Sequence, residues 1–299
     1  MSIIVLGTVA LDTVKTPFGK RELMLGGSAV HFSMSARLFT KVSLVAVVGK
    51  DFPQKHIKFL EQRGINTASV VCEEGPCFKW EGEYVGDLNS ANTLRTELGV
   101  LAAFRPELTP EQRKTKYVFL ANLDPEIQMH VLESMSKPRL LGVDSMNFWI
   151  HHKKAQLIRL LKYVDIYVAN DQEARSLSQE THLIKAAKAL HAMGPKMVLI
   201  KKGEHGVLFY SDKFILSLPA YPTDKVIDPT GAGDTFAGGF MGYLAKVQKL
   251  DQLSLKRALA YGTVAASLNV EGFGVEKTGK LKLRDLEERL GQFKKCFHF

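Results

Sequence analysis

Short apolar runs alternate with longer amphipathic segments along most of the chain, and this alternation restricts the fold more than any other feature. The runs are rich in Val, Ile and Leu and lack strict polar alternation, as expected of strands buried on both faces. The pattern predicts an α/β fold in which a doubly wound, mostly parallel sheet is flanked by helices. The predicted strands are residues 3–9, 43–48, 117–121, 140–143, 166–169 and 197–200, and the predicted helices are residues 29–39, 56–63, 126–135, 153–163 and 183–193.

One segment, residues 78–101, departs from this pattern. It alternates partly between polar and apolar residues and contains the turn formers Gly, Asn and Asp, which favours antiparallel strands outside the main sheet. Residues 13–25 are similar. We expect a single α/β domain over residues 1–299, with a small β lid formed by about 13–25 and 78–101 that covers a pocket. An ordinary surface excursion is the alternative.

The composition limits the setting in which the protein works. Hydrophobic residues make up 45% of the chain and charged residues 24%, as in globular proteins. No apolar run approaches the about 18 residues of a membrane-spanning helix, and MSIIVLGTVALD predicts a buried strand and not a signal peptide. Three cysteines are too few and too irregularly spaced for a disulfide framework or a zinc site. These features predict a cytoplasmic protein without a membrane partner.

The net charge of +9 allows more than one interpretation. Clustered cations would favour nucleic acid, whereas a diffuse positive field attracts anionic small molecules. The Lys and Arg residues are scattered and are not interleaved with aromatic residues. We therefore predict a solvated basic surface and no nucleic-acid partner.

The motif DPTGAGDTFAGGF at residues 228–240 carries the strongest chemical signal. Pro229 fixes the entry to the motif, and the glycines let backbone amides approach a ligand closely. Helical spacing from Phe236 onward places the amides of residues 231–233 at a helix N-terminus, which favours anions. Asp234 then lies in the first turn, where it can accept the proton of an attacking hydroxyl. Completing the helix N-terminus is the alternative role for Asp234.

This motif resembles the C-terminal signature of the ribokinase-like, or PfkB, carbohydrate kinase family. Two further motifs occur in the order that the family shows: the pair Gly26 and Gly27 in LGGSAVHFSMSA, and Asn170-Asp171-Gln172-Glu173. The resemblance extends over essentially the whole chain. It implies an ATP-dependent phosphotransferase with an alcohol group as acceptor.

The resemblance also implies roles for individual residues. Asp234 resembles the catalytic base, and residues 231–233 resemble the anion hole of the family. Asn170 and Glu173 resemble the motif that organises Mg²⁺ and phosphate, with Glu173 acting through water, as Mg²⁺ keeps several of its waters. A helix cap formed by the same two residues is compatible with this role. The anion-hole residues are Gly231, Ala232 and Gly233.

Further positions concern the acceptor, the nucleotide and a monovalent cation. Asp12 would hold substrate hydroxyls, and Gly26 and Gly27 would let the substrate approach the backbone. His31 stands where many sugar kinases of the family have Asn, so ribose or fructose specificity does not follow. Asp228 and Thr230 resemble a monovalent-cation loop, which would bind K⁺. The nucleotide-side residues are Lys202, Gly203, Asn269, Gly272 and Gly274.

Aromatic residues in the 78–101 segment indicate which class of molecule accepts the phosphoryl group. The 78–101 segment contains Phe78, Trp80 and Tyr84, and aromatic faces stack on planar bases, which favours a nucleoside acceptor with Trp80 as a contact. The same rings would suit lid packing or a homodimer interface through the lid. A sugar or sugar-phosphate acceptor is the alternative within the family. A non-catalytic nucleotide-binding regulator is the alternative from another class, although such a protein needs no base such as Asp234.

Overall fold

The computed structural model describes residues 2–86 and 88–296. The chain forms two compact units. The first unit combines the N-terminal stretch through Phe104 with the stretch from Tyr221 onward, and the second unit is Arg105–Ala220.

The N-terminal stretch of the first unit contains a parallel arrangement of strands and a separate small sheet. Strands β1, β4 and β5 pair in parallel, and the Ile, Val and Leu side chains of β1 and β4 are buried. The elements are β1 (Ser2–Leu6), β2 (Ala10–Thr16), β3 (Gly19–Gly26), α1 (Ser28–Ala36), β4 (Lys41–Gly49), α2 (Gln54–Glu61), β5 (Ile65–Glu73), β6 (Lys79–Tyr84) and β7 (Ala91–Glu97).

The small sheet has the strand order β3-β2-β6-β7. Its outer pairs, β2 with β3 and β6 with β7, are antiparallel, whereas β2 and β6 run parallel. The register of β2 and β6 places Asp12 opposite Trp80. Since residues paired across neighbouring strands share a face of the sheet, the side chains of Asp12 and Trp80 lie side by side.

The second unit holds the remaining strands, in the order β13-β12-β11-β10-β9-β8. Strands β8 to β11 are parallel, and β12 and β13 add an antiparallel hairpin. The elements are α3 (Pro110–Arg113), β8 (Tyr117–Leu120), α4 (Pro125–Ser134), β9 (Leu140–Asp144), α5 (Asn147–His152), α6 (Lys154–Leu161), β10 (Ile166–Asn170), α7 (Asp171–Ser178), α8 (Leu183–Ala192), β11 (Met197–Lys201), β12 (Val207–Ser211) and β13 (Ile215–Leu218).

Three helices complete the first unit: α9 (Ala232–Val247), α10 (Gln252–Asn269) and α11 (Leu283–Lys295). Helix α9 packs closely on α1, because a Cβ atom at Gly238 would lie 2.2 Å from the carbonyl oxygen of Phe32. Glycine therefore lets the backbones of α1 and α9 approach. Within residues 2–86 and 88–296, no helix is both long and apolar enough to cross a membrane.

The predicted α/β fold is confirmed: parallel strands alternate with helices, and a small sheet stands apart from them. The six predicted strands overlap β1, β4, β8, β9, β10 and β11, and the five predicted helices overlap α1, α2, α4, α6 and α8.

Candidate active site

The glycine-rich motif forms the N-terminus of α9. Gly231 is the N-cap residue with a φ of 71°, a conformation that glycine adopts without strain, and its carbonyl accepts the Thr235 N–H at 2.8 Å. Asp234 lies in the first turn and is half-buried. The first amides of a helix have no partner within the helix, so this end favours an anion. The Ala232 N–H donates to the Pro229 carbonyl at 3.1 Å, a bond that an anion would have to replace.

Thr230, directly before the N-cap, is held by its backbone from two sides. Its N–H donates to Oδ1 of the buried Asp228 at 2.9 Å, and its carbonyl accepts a hydrogen bond from Asn269 Nδ2 at 2.8 Å. The second oxygen of Asp228 accepts the Gly274 N–H at 2.9 Å. The structure thus brings Asp228, Thr230, Asn269 and Gly274 together as one brace around the glycine-rich loop.

The buried His31 of α1 packs directly against this loop. A Cβ atom at Gly231 would lie 2.2 Å from Cγ of the imidazole, so only glycine fits there. His31 Nδ1 lies 3.3 Å from Asn269 Oδ1, which also accepts the Thr235 hydroxyl at 3.0 Å. Because Asn269 uses its amide nitrogen on Thr230, its oxygen faces the imidazole and Nδ1 carries the proton.

The Nε2 atom of His31 is consequently an acceptor. It is buried and makes no hydrogen bond among the described residues. Burial lowers the pKa of the imidazole, against the opposing influence of the Asp228 carboxylate and the Asn269 hydrogen bond. His31 is therefore neutral, and its Nε2 lone pair is suited to a hydroxyl donor.

Asp12 on β2 is buried against the start of α1. A Cβ atom at Gly26 would lie 1.8 Å from its Oδ2, and the carboxylate accepts the N–H of Gly27, whose φ is 99°. Burial raises the pKa of Asp12 to about 7; the Gly27 N–H opposes this change, and the carboxylates of Asp228 and Asp234 add to it. Both glycines are required by this geometry, because a side chain at either position would collide with its neighbours.

Trp80 lies beside Asp12 on the small sheet. Its indole folds over Gly82, where a Cβ atom would lie 2.2 Å from the ring, and its Nε1–H donates to the Thr93 hydroxyl at 3.2 Å. The lack of a side chain at position 82 therefore leaves room for the ring. Tyr84, at the end of the same strand, is buried and accepts a hydrogen bond from the Thr230 hydroxyl at 3.3 Å.

In the second unit, Asn170 and Glu173 form a reciprocal cap on α7. The Glu173 N–H donates to Asn170 Oδ1 at 2.8 Å, and the Asn170 N–H donates to Glu173 Oε2 at 2.7 Å. The capping role considered from the sequence is thus present, and it holds a buried carboxylate at the carboxyl end of β10. The role in Mg²⁺ organisation stays a prediction.

The neighbouring strand ends carry an ion pair. Lys201, at the end of β11, lies 3.0 Å from Asp144, at the end of β9, and both are largely buried. The hydroxyl of Tyr167 is buried without a hydrogen-bond partner among the described residues. Burial raises its pKa, and the Glu173 and Asp144 carboxylates raise it further. Ligands of open α/β sheets bind at such carboxyl ends.

The predicted nucleotide-side glycines occupy turns. Lys202 donates its N–H to the Gly206 carbonyl at 2.8 Å, and Gly203, with a φ of 54°, begins a short turn. Gly274 has a φ of 51° and binds Asp228, as described above. Gly272 lies near Lys277. Their contact with nucleotide stays a prediction.

The sequence interpretation missed three features. Tyr84 was considered only as an aromatic ring, the Lys201–Asp144 ion pair was not predicted, and Asn269 was assigned to the nucleotide although its side chain braces the glycine-rich loop. For the ion pair, the only signal in the sequence was the position of Lys201 directly after a predicted apolar strand.

Comparison with known proteins identifies the family. The model of the pfkB family carbohydrate kinases matches residues 13–279. The chain belongs to this family. The predicted recognition is therefore confirmed, and so is an ATP-dependent phosphotransferase that acts on a hydroxyl group.

Individual relatives within the pfkB family agree with this assignment. The chain is 31% identical to the cytidine kinase of Thermococcus kodakarensis over 267 residues, which cover 86% of this chain and 95% of that protein. The nucleoside kinase structure from Methanocaldococcus jannaschii superposes with a TM-score of 0.78 at 22% identity, covering 97% and 98% of the two chains. Aminoimidazole riboside kinase from Salmonella enterica, solved with aminoimidazole riboside and an ATP analog, has a TM-score of 0.78 at 18% identity, with 97% and 100% covered.

Proposed function

We propose that this kinase transfers the γ-phosphoryl group of ATP to the hydroxymethyl group of a nucleoside. The observation that carries the proposal is the Trp80 indole, which folds over Gly82 on the strand that pairs Trp80 with the buried Asp12. A ring in this position offers a stacking surface to a base. The carboxylate of Asp12 beside it can accept hydrogen bonds from the hydroxyl groups of the sugar. The names of the cytidine kinase and nucleoside kinase relatives support the same acceptor class.

Two buried hydrogen-bond acceptors of the protein are available to the hydroxyl groups of the nucleoside. The Asp12 carboxylate and the Nε2 atom of His31 both lack a cationic partner among their described contacts. A ribose hydroxyl that donates to Nε2 of His31 would satisfy a buried acceptor that has no other partner among the described residues. The Asp12 carboxylate already accepts the Gly27 N–H and has further lone pairs for a hydroxyl. Gly26 and Gly27 keep the approach to Asp12 free of side chains.

The transfer step uses the N-terminus of α9. Asp234 accepts the hydroxyl proton while the hydroxyl oxygen forms a bond to the γ-phosphorus, and the bond from that phosphorus to the β-phosphate oxygen breaks, so that ADP leaves. The amides of Gly231, Ala232 and Gly233 stabilise the negative charge on the transferred group. The position of Asp234 in the first turn of α9 supports this role.

Two ions belong to the proposal. Asn170 and Glu173 would hold Mg²⁺ through water, and the unpartnered Tyr167 hydroxyl near Glu173 shows that this buried site has unused hydrogen-bonding capacity. Bound there, Mg²⁺ would neutralise negative charge on the phosphates of ATP. Asp228 and Thr230 would hold K⁺, because each Asp228 oxygen accepts one amide and keeps a further lone pair.

The organisation of the protein completes the proposal. We assign the small sheet as a lid over the acceptor, within one functional domain that comprises the whole chain. The exposed side chains of Leu23 and Leu94 on this sheet support a homodimer through the lid. We assign four residues to nucleotide binding: Lys202, Gly203, Gly272 and Gly274. We also assign the protein to the cytoplasm.

ATP turnover with a panel of nucleosides and sugars tests the function. We expect a nucleoside to be the best acceptor, and Asp234→Asn to lower kcat by at least about 100-fold with ATP affinity kept within a few-fold, because the general base is lost. A sugar as the best acceptor would establish the carbohydrate alternative. ATP binding without turnover of any acceptor would establish the regulatory alternative.

A further inference from the structure

Thr230 is anchored to three different parts of the first unit. Asp228 binds its N–H, Asn269 binds its carbonyl, and Tyr84 accepts the hydrogen bond of its side-chain hydroxyl. The first two anchors belong to the glycine-rich loop and to α10. The third belongs to the small sheet, so Thr230 is the point at which that sheet meets the loop.

Tyr84 is well placed to transmit the position of the sheet. It is the last residue of β6, it is buried, and Trp80 is on the same strand. Only Gly231 separates Thr230 from the first residue of α9. A displacement of β6 therefore reaches the α9 amides through one side-chain hydrogen bond and two peptide units.

We propose that Tyr84 is a positioning residue for phosphoryl transfer, which couples the small sheet to the amides at the N-terminus of α9 through Thr230. The proposal rests on the proposed function. Acceptor that binds against the small sheet would fix β6, and Tyr84 would then hold the loop in the geometry that receives the phosphoryl group.

The electrostatic surroundings keep this link intact over a wide pH range. Burial raises the pKa of the Tyr84 phenol. The hydrogen bond from Thr230 lowers this pKa, and the nearby carboxylates raise it further; they belong to Asp228, Asp12 and Asp234. The phenol stays protonated at any pH at which the kinase works. Because it accepts from Thr230, its own proton remains available for an oxygen of the bound acceptor.

A double-mutant cycle in the full-length kinase tests the proposal. Tyr84→Phe removes the phenol oxygen, and Thr230→Val removes the hydroxyl at nearly constant shape. At 3.3 Å the bond is long for two hydroxyl groups. We expect each single variant to lower kcat about three- to tenfold, with the KM for ATP unchanged, and the double variant to be no slower than the slower single variant.

Two further variants separate positioning from simple stability. Thr230→Ser restores the hydroxyl and should recover most of the kcat that Thr230→Val loses. Tyr221→Phe, which removes a phenol that bonds Gln292 at 2.8 Å in the same unit, serves as the matched control and should leave kcat unchanged.

Multiplicative losses in the double variant, or a Tyr84→Phe variant with wild-type kcat, would overturn the coupling while leaving the kinase assignment intact. A wild-type protein that turns over no acceptor would instead refute the proposed function. Thermal unfolding of each variant confirms that the comparison is made between folded proteins.

Discussion

The buried carboxylate of Asp12 makes the stability of the protein depend on pH in an unusual direction. Its pKa is about 7 in the folded protein, compared with an ordinary value of 3.8. Between these values the folded state binds more protons than the unfolded state, so stability falls as pH rises. The loss begins near pH 4 and is complete slightly above pH 7, after which the contribution of Asp12 is constant.

The substitution Asp12→Asn removes this loss while keeping the size of the side chain and an oxygen for the Gly27 N–H. A difference of about three pKa units corresponds to about 4 kcal/mol, at about 1.4 kcal/mol per unit. We therefore expect the variant to gain stability relative to the wild type as pH rises. About 2–3 kcal/mol of that gain should fall between about pH 5 and about pH 7.

Urea unfolding followed by circular dichroism at several pH values measures the effect. The exposed Asp224, in the same unit, provides the control: Asp224→Asn makes the same substitution without removing a buried carboxylate. The reasoning is refuted if the stability difference between Asp12→Asn and the wild type is the same at every pH. A difference that shrinks as pH rises would show that the folded protein stabilises the charged form of Asp12.

Two other predictions concern the acceptor and the metal. Trp80→Ala should weaken nucleoside binding by about 1–3 kcal/mol, a rise in KM of roughly fivefold to more than 100-fold, and leave the KM for ATP unchanged. Trp80→Phe, which keeps a ring but loses the bond to Thr93, should retain most of the affinity; equal losses for nucleoside, sugar and ATP would show a structural role. Glu173→Gln should raise the Mg²⁺ concentration needed for half-maximal rate, as measured by metal titration at saturating ATP. An unchanged titration would limit Glu173 to capping α7.

Local patterns were sufficient to predict much of the fold. The buried apolar runs identified six strands, and the helix that follows the glycine-rich motif was expected from its spacing. The β12–β13 hairpin was missed, because β13 is half-exposed and carries no continuous apolar run. Gly206, with a φ of 86° next to the Leu218 carbonyl, lies in the turn that leads from β11 into β12, and it could have indicated that the chain reverses there.

The site was predicted where a single segment determines it. The Asn170–Glu173 cap depends on residues three apart, and the α9 N-terminus depends on one motif. The Lys201–Asp144 pair depends on the order of β9, β10 and β11, and the Tyr84–Thr230 bond joins residues 146 positions apart. Contacts of this kind cannot be derived from periodicity, because they require knowledge of which elements become neighbours.

The hydrogen bond between His31 and Asn269 spans 238 residues of sequence, and it has a consequence for synthesis. The first unit is built from two stretches of the sequence. The second unit is one continuous stretch that comes between those two in sequence order. During translation, Arg105–Ala220 is complete well before Asn269 is added. The glycine-rich loop can therefore be braced only at the end of synthesis, and a chain that stops before α10 would retain the Asn170–Glu173 cap but lack the Thr230 brace.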